Sequence, residues 1–369
     1  MKQRRFVNLV TQNWVQQVYS LHCIDPYDHF FYGSTKAAIE AADEAAEKKT
    51  EILLQLPTPS MNFVAPVLDM FALFSPRAGS EGKLVYTGTG KADMYDADRN
   101  ALISLGRLKS SKGFRPMCMS VAHPGMDEDS MYVLDMYPGR DVTRGCFEVL
   151  EPTPMRELSM SMPPWRWRLL PPPPFIRQPG YKTSSVTSFS TMVRGKEGCP
   201  TIYVSFANDI GTYSFEAAHP TSSRHLGWTP SEEWSHVGEW KLPFDGRAQY
   251  IPEFKLWFGF SPSSPNHPCA VDLSPLAMGH RGPPPTEPQT WQDLNPPEGE
   301  VWDPMHLDLV HLGDGKFLIV RSFEAPEARE QFALLTGIEM IAGDHNKLHV
   351  VKHKCARLVF SSHVIKWVL

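Results

Sequence analysis

Phe147-Glu148-Val149-Leu150-Glu151, followed by Trp167-Arg168-Leu169-Leu170-Pro171, states a phrase that recurs along the chain: a short apolar strand closed by an acid, then a Trp leading into Leu and Pro. It returns as Tyr213-Ser214-Phe215-Glu216 with Trp240-Lys241-Leu242-Pro243, and as Ala270-Val271-Asp272-Leu273 with Trp291-Gln292-Asp293-Leu294. A version without the Trp is Met94-Tyr95-Asp96 with Ile103-Ser104-Leu105. Units that recur in this way bury their faces against one another, so the phrase decides architecture before it decides chemistry.

Working outward, strand-like runs arrive in groups of four, over residues 68–105, 117–170, 186–242, 249–294 and 306–352. Turn sequences separate them, including Asp314-Gly315, a hairpin signal. Ahead of these groups, Phe6 to Val10, Val18 to Cys23 and Phe30 to Tyr32 read as three strands, with Asp25-Pro26 as a turn. Lys36 to Lys49, capped by Ser34 or Thr35, is the one convincing helix and reads as a surface connector. Arg357 to Phe360 and Val364 to Leu369 close the chain as strands.

If a C-terminal strand pairs with the N-terminal group, the two ends make a sixth unit and no sheet edge is left open. The expected fold is therefore all-β: a single β-propeller domain over residues 1–369, with six blades of four antiparallel strands closed by the N- and C-terminal strands. Seven blades or a pair of β-sandwiches are the alternatives. In this architecture the recurring acids accept hydrogen bonds from the turns that follow them, and the tryptophans fill wedges between neighbouring blades.

Composition agrees with one large core. Over 369 residues the hydrophobic fraction is 42% and the charged fraction 21%, as in water-soluble globular proteins, and 34 prolines and 25 glycines interrupt the apolar runs throughout. A net charge of −5 argues against the broad basic surface of a non-specific nucleic-acid binder. The six cysteines are widely separated and read as free thiols of a reducing compartment. No apolar stretch has the length of a membrane span, and Phe6 to Val10 is too short for a signal-peptide core. The chain contains no Asn-x-Ser/Thr sequon. Cytoplasm or nucleus is the expected location.

Few residues point to catalysis. His345, His349 and His353 recur every four residues, but a strand places successive members about 13 Å apart, too far for one metal. Zinc-protease, nucleophile-elbow and phosphate-loop patterns are absent from the sequence. Gly88-Thr89-Gly90 reads as a turn, Asp127-Glu128-Asp129 as a solvated acidic turn, and Pro171 to Pro174 as a stiff link. No catalytic residue, cofactor or metal is expected. The contact surface expected from sequence is the long loop from Ala217 to Glu233, carrying Arg224, His225 and Trp228 with Trp234 at its end, because exposed Trp and Arg anchor binding sites.

Arg4-Arg5-Phe6-Val7-Asn8-Leu9-Val10, Pro163-Pro164-Trp165-Arg166-Trp167, Trp240-Lys241-Leu242-Pro243-Phe244-Asp245-Gly246-Arg247-Ala248 and Leu256-Trp257-Phe258-Gly259-Phe260 carry a family resemblance. Tyr19-Ser20-Leu21-His22, Val351-Lys352-His353-Lys354 and Ile365-Lys366-Trp367-Val368-Leu369 fit it too. The chain resembles, over essentially its whole length, the domain-of-unknown-function 1618 family, expanded in grasses and related in style to the propeller-like regions of plant F-box proteins. The resemblance implies no catalytic activity, cofactor or binding residue, and no F-box precedes the first strand. It implies a plant protein with a role in defence, stress or reproductive compatibility. The functional expectation is a non-enzymatic module that binds an unknown protein, with neither nucleic acid nor membrane as partner; a propeller-type enzyme with an axial active site is the alternative.

Overall fold

The computed structural model describes residues 4–44, 52–65, 67–75, 82–88, 90–139, 145–153, 164–194, 198–217, 232–278, 284–292, 302–325, 330–343, 347–360 and 362–369. It opens with β1 (Val7–Asn13) and β2 (Val18–Ile24), a hairpin, followed by helices α1 (Pro26–Phe30) and α2 (Thr35–Glu44) and strands β3 (Ile52–Leu53) and β4 (Met61–Val64). Two sequence expectations are corrected here. Phe30 to Tyr32 is not a strand, because Asp25 Oδ1 accepts the Tyr27 N–H (3.0 Å) and Pro26 occupies the first helical turn, a pairing that starts a helix. The third strand of the N-terminal group is β4 instead. Ser34 caps α2, its Oγ accepting the Ala37 N–H at 3.1 Å, while positions 45–49 of the expected helix lie outside the described residues.

Four runs of four strands follow. They are β5 (Met70–Leu73), β6 (Lys83–Gly88), β7 (Lys91–Asp96) and β8 (Ala101–Arg107); then β9 (Met117–Val121), β10 (Ser130–Leu134), β11 (Phe147–Pro152) and β12 (Trp165–Leu169). Next come β13 (Val186–Arg194), β14 (Cys199–Phe206), β15 (Gly211–Glu216) and β16 (Trp234–Gly238); then β17 (Asp245–Ile251), β18 (Leu256–Phe260), β19 (Pro268–Val271) and β20 (Gln289–Thr290). The chain ends with β21 (Asp303–Gly313), β22 (Lys316–Ala325), β23 (Glu330–Ala342), β24 (Leu348–Phe360) and β25 (His363–Val368). Arg357 to Phe360 is thus the end of β24, not a separate strand.

The fold is all-β, and within each run the strands pair in chain order. The terminal sheet runs β25-β1-β2-β4, with Leu9 opposite Val368 and Asn13 opposite His363, so the two chain ends share one ladder. The runs β13–β16 and β17–β20 are joined by a short parallel ladder between β13 and β17, in which Ser188 faces Gly246 and Ser190 faces Ala248.

The described residues form two compact units. One, drawn from Met1–Val67 and Gln292–Leu369, contains the terminal sheet and the β21–β24 sheet, with Val7, Leu9, Leu318, Val320, Leu335 and Ile365 in their shared core. The other, drawn from Leu68–Pro76 and Gly82–Trp291, contains the remaining sheets. There Met70, Val85, Val133, Leu150, Trp165 and Trp167 fill the space between the β5–β8 and β9–β12 sheets. Phe147, Phe206 and Phe215 fill the next interval, and Tyr203, Leu242, Phe244 and Trp257 the one after. Burial of such side chains at about 25 cal/mol per Å² is the main stabilising term.

The Trp-Lys-Leu-Pro phrase has a specific use in this unit. Thr212 Oγ1 donates to Trp240 O (2.6 Å), which leaves Ser205 Oγ to donate to Thr212 Oγ1 (2.8 Å) while accepting the Leu242 N–H (2.9 Å). This buried chain of hydroxyls satisfies the backbone of the link between β16 and β17, which would otherwise be costly to bury.

Candidate contact surface

The acids of the recurring phrase are engaged within the protein. Asp96 accepts the Arg99 N–H (3.2 Å) and Asp272 the Ser274 N–H (2.8 Å), the turn-capping role read from sequence. Glu151 departs from it: its buried carboxylate accepts from Arg166 Nε (2.9 Å) and Arg168 Nη2 (3.2 Å). Arg168 in turn donates to both oxygens of Glu232, at 2.9 and 2.8 Å, joining β12 to the start of β16. Two carboxylates and hydrogen bonding hold the Arg168 pKa above its usual value against the opposing effect of burial.

A second polar cluster lies in the other unit. Glu339 on β23 accepts from Lys316 Nζ (3.0 Å) and Thr35 Oγ1 (2.9 Å), and contacts His353 Nε2 at 3.1 Å. The Tyr32 N–H donates to His353 Nδ1 (3.2 Å), so the proton of this neutral imidazole sits on Nε2 and points at Glu339. Burial lowers the His353 pKa, with Glu339 opposing. Burial alone would raise Glu339, but its hydrogen bonds from Lys316, Thr35 and His353 hold it below the usual carboxylate range. Gly337 lets the segment seat here: a side chain at that position would meet Phe30 O at 2.2 Å. The sequence places His349 and His353 on one side of a strand. The ladder shifts register between Thr336 and Ile338, and His349 is exposed while His353 is buried. Among the described residues no group of three His, Cys, Asp or Glu side chains is placed to hold a metal ion.

The third cluster supports something exposed. Lys112 and Glu148 form an ion pair whose side chains are 1% and 0% accessible, and the other donors to the Glu148 carboxylate are the Lys109 and Ser110 N–H groups (2.9 and 3.0 Å). Lys112 Nζ also donates to Ser110 O at 2.8 Å. Burial lowers the Lys112 pKa and Glu148 acts against it; burial also pushes the neighbouring Cys146 thiol up to about 11. The pair therefore pins the link between β8 and β9. At its tip the backbone is left-handed at Gly113 (φ +70°) and at Arg115 (φ +53°), a costly conformation for arginine that the pinned link maintains. Between them Phe114 is 53% exposed, with the Arg115 guanidinium 5.5 Å from its ring centre. The β10–β11 loop adjoins it: Asp135 Oδ1 lies 3.7 Å from the position of a Cβ on Gly113 and accepts the Tyr137 N–H at 2.9 Å, and Tyr137 is 49% exposed. Phe114, Arg115 and Tyr137 are side chains of the types that anchor interfaces, presented on backbone that is held in place.

Of the contact residues expected from sequence, Arg224, His225 and Trp228 lie outside the described residues. Trp234 begins β16, its ring packed against Phe147 (5.3 Å) and Phe215 (5.2 Å) and its Nε1 donating to Pro171 O at 2.9 Å. The sequence reading passed over Phe114 and Tyr137. Their signal was an aromatic residue inside a turn stretch, Gly113-Phe114-Arg115-Pro116 and Tyr137-Pro138-Gly139.

No helix among the described residues is long and apolar enough to cross a membrane. Comparison with curated proteins finds no match. A family model described as "Protein of unknown function (DUF1668)" matches residues 4–358. The chain belongs to that family.

Proposed function

We propose that this chain is a non-enzymatic protein-interaction module built on one six-bladed β-propeller domain, closed where β25 pairs with β1. Six antiparallel ladders of four strands, five of them pairing in chain order and the sixth, β25-β1-β2-β4, built from both ends of the chain, support the architecture. The observation that carries the interaction reading is the exposure of Phe114 and Tyr137 on loops held by a buried ion pair and an Asp cap. A backbone already held in place loses little freedom on binding, so more of the contact energy appears as affinity. Glu148, Glu339 and His353 are engaged in holding connecting segments. Residence in the cytoplasm or nucleus, kinship with the grass 1618 group and a role in defence, stress or reproduction belong to the same proposal and rest on the sequence resemblance.

Affinity capture of the full chain from its native tissue, beside a Phe114→Ala/Tyr137→Ala variant, tests the reading. A stoichiometric partner that the variant loses while keeping its melting temperature supports it. The same set of captured proteins from both chains would place the contact surface elsewhere.

A further inference from the structure

We propose that the face carrying Phe114 and Tyr137 docks an acidic segment of a partner protein; this rests on the interaction-module reading and adds the partner's chemistry. The β5–β8 and β9–β12 sheets present neighbouring ends here, because the Arg115 N–H, just before β9, donates to Asp69 O, just before β5 (2.9 Å), while the Leu108 N–H extends the β7–β8 ladder by donating to Gly90 O (3.1 Å). Lys91 and Arg107 face each other directly in the β7–β8 ladder, Lys109 follows two residues on, and all three are exposed. Arg115, half-buried beside Phe114, adds a cation at the same end of these sheets. Lys112 does not count toward it, being paired with Glu148 inside. The acids at this end, Asp135, which caps the Tyr137 turn, and Asp69, are fewer than the four cations Lys91, Arg107, Lys109 and Arg115.

The result is a local excess of positive charge on a chain whose net charge is −5. An acidic segment is drawn to such a patch and oriented by it, while Phe114 and Tyr137 supply the apolar contact that a charge cluster alone lacks. A nucleic acid would meet the same cations. Its phosphates would also meet the negative charge carried elsewhere on the molecule, which favours a short acidic peptide over an extended polyanion.

The test is fluorescence anisotropy of the full chain with a fluorescein-labelled synthetic peptide in which Asp and Glu flank a Phe-Leu pair. Arg107→Glu/Lys109→Glu is expected to weaken binding by about tenfold or more, and raising salt from about 50 to about 300 mM by roughly threefold. Trp14→Ala, on the 59% exposed tip of the β1–β2 hairpin, should leave it unchanged. Absence of binding, equal binding by the charge-reversed variant, or complete displacement by an equimolar oligouridylate would each overturn the assignment. If the peptide fails while tissue capture remains sensitive to Phe114→Ala/Tyr137→Ala, the acidic partner falls and the interaction module stands. Failure of both removes both.

Discussion

Glu148, on β11, holds the link between β8 and β9 with a lysine ammonium and two backbone N–H groups, whereas Glu339, on β23, holds the segment around Tyr32 and Thr35 with a lysine, a threonine and a neutral histidine. Both carboxylates do the same mechanical work, tying a connecting segment to a sheet. They differ in burial and in what can loosen them. The Lys112–Glu148 pair is sealed from water and contains no histidine, so removing one partner strands a charge. The Glu339 cluster is partly open, and it depends on His353 remaining neutral, because Nδ1 can accept from Tyr32 only while it carries no proton. The sealed clamp supports the exposed aromatics; the proton-sensitive one secures helices α1 and α2.

The largest expected effect breaks the sealed clamp. Glu148→Ala should lower unfolding free energy in urea by about 3–5 kcal/mol, and Lys112→Met/Glu148→Leu together by much less, since an apolar pair leaves no buried charge behind. Equal losses from the single and double variants would mean that packing, not charge compensation, dominates there. Glu339→Ala should cost less, about 1–3 kcal/mol, because its charged partner Lys316 retains some access to water.

Acid should separate the two clamps further. The folded-state pKa of His353 lies below its ordinary value of 6.5, so in that window the unfolded chain binds the extra proton and stability falls as pH drops below about 6.5, levelling off beneath the folded value. Glu339, also lowered, adds a loss at more acidic pH, as its carboxylate takes up a proton on descent through its folded value. Hydrogen exchange of residues 31–44, corrected for intrinsic rates, is therefore expected to accelerate between pH 7 and pH 5 before that of residues 108–116, and His353→Gln should flatten the difference. Parallel acceleration of both segments in the native chain would contradict the distinction.

Much of the fold could be read from local patterns. Alternating apolar residues and Gly/Pro turns located the five four-strand groups, and the apolar close of the chain pointed to its pairing with β1, now seen between Leu9 and Val368. The errors arose where one short sequence suits two structures: Asp25-Pro26 serves a turn and a helix start equally, and here Asp25 caps the Tyr27 N–H and starts a helix. The contact surface was harder to see because its support is non-local. Lys112 and Glu148 are 36 residues apart, and neither residue in its own neighbourhood indicates that it will pair with the other and hold Phe114 outward. The periodic Glu151 drew attention as a turn cap, yet its partners are two arginines on the next strand.

The smallest expected effect on stability belongs to the surface itself, and it gives the most direct test. Phe114→Ala/Tyr137→Ala should change unfolding free energy by less than about 0.5 kcal/mol per site, as exposed substitutions do, while abolishing retention of the partner captured from native tissue. Undiminished retention of that partner by the stably folded variant would contradict the account at its centre.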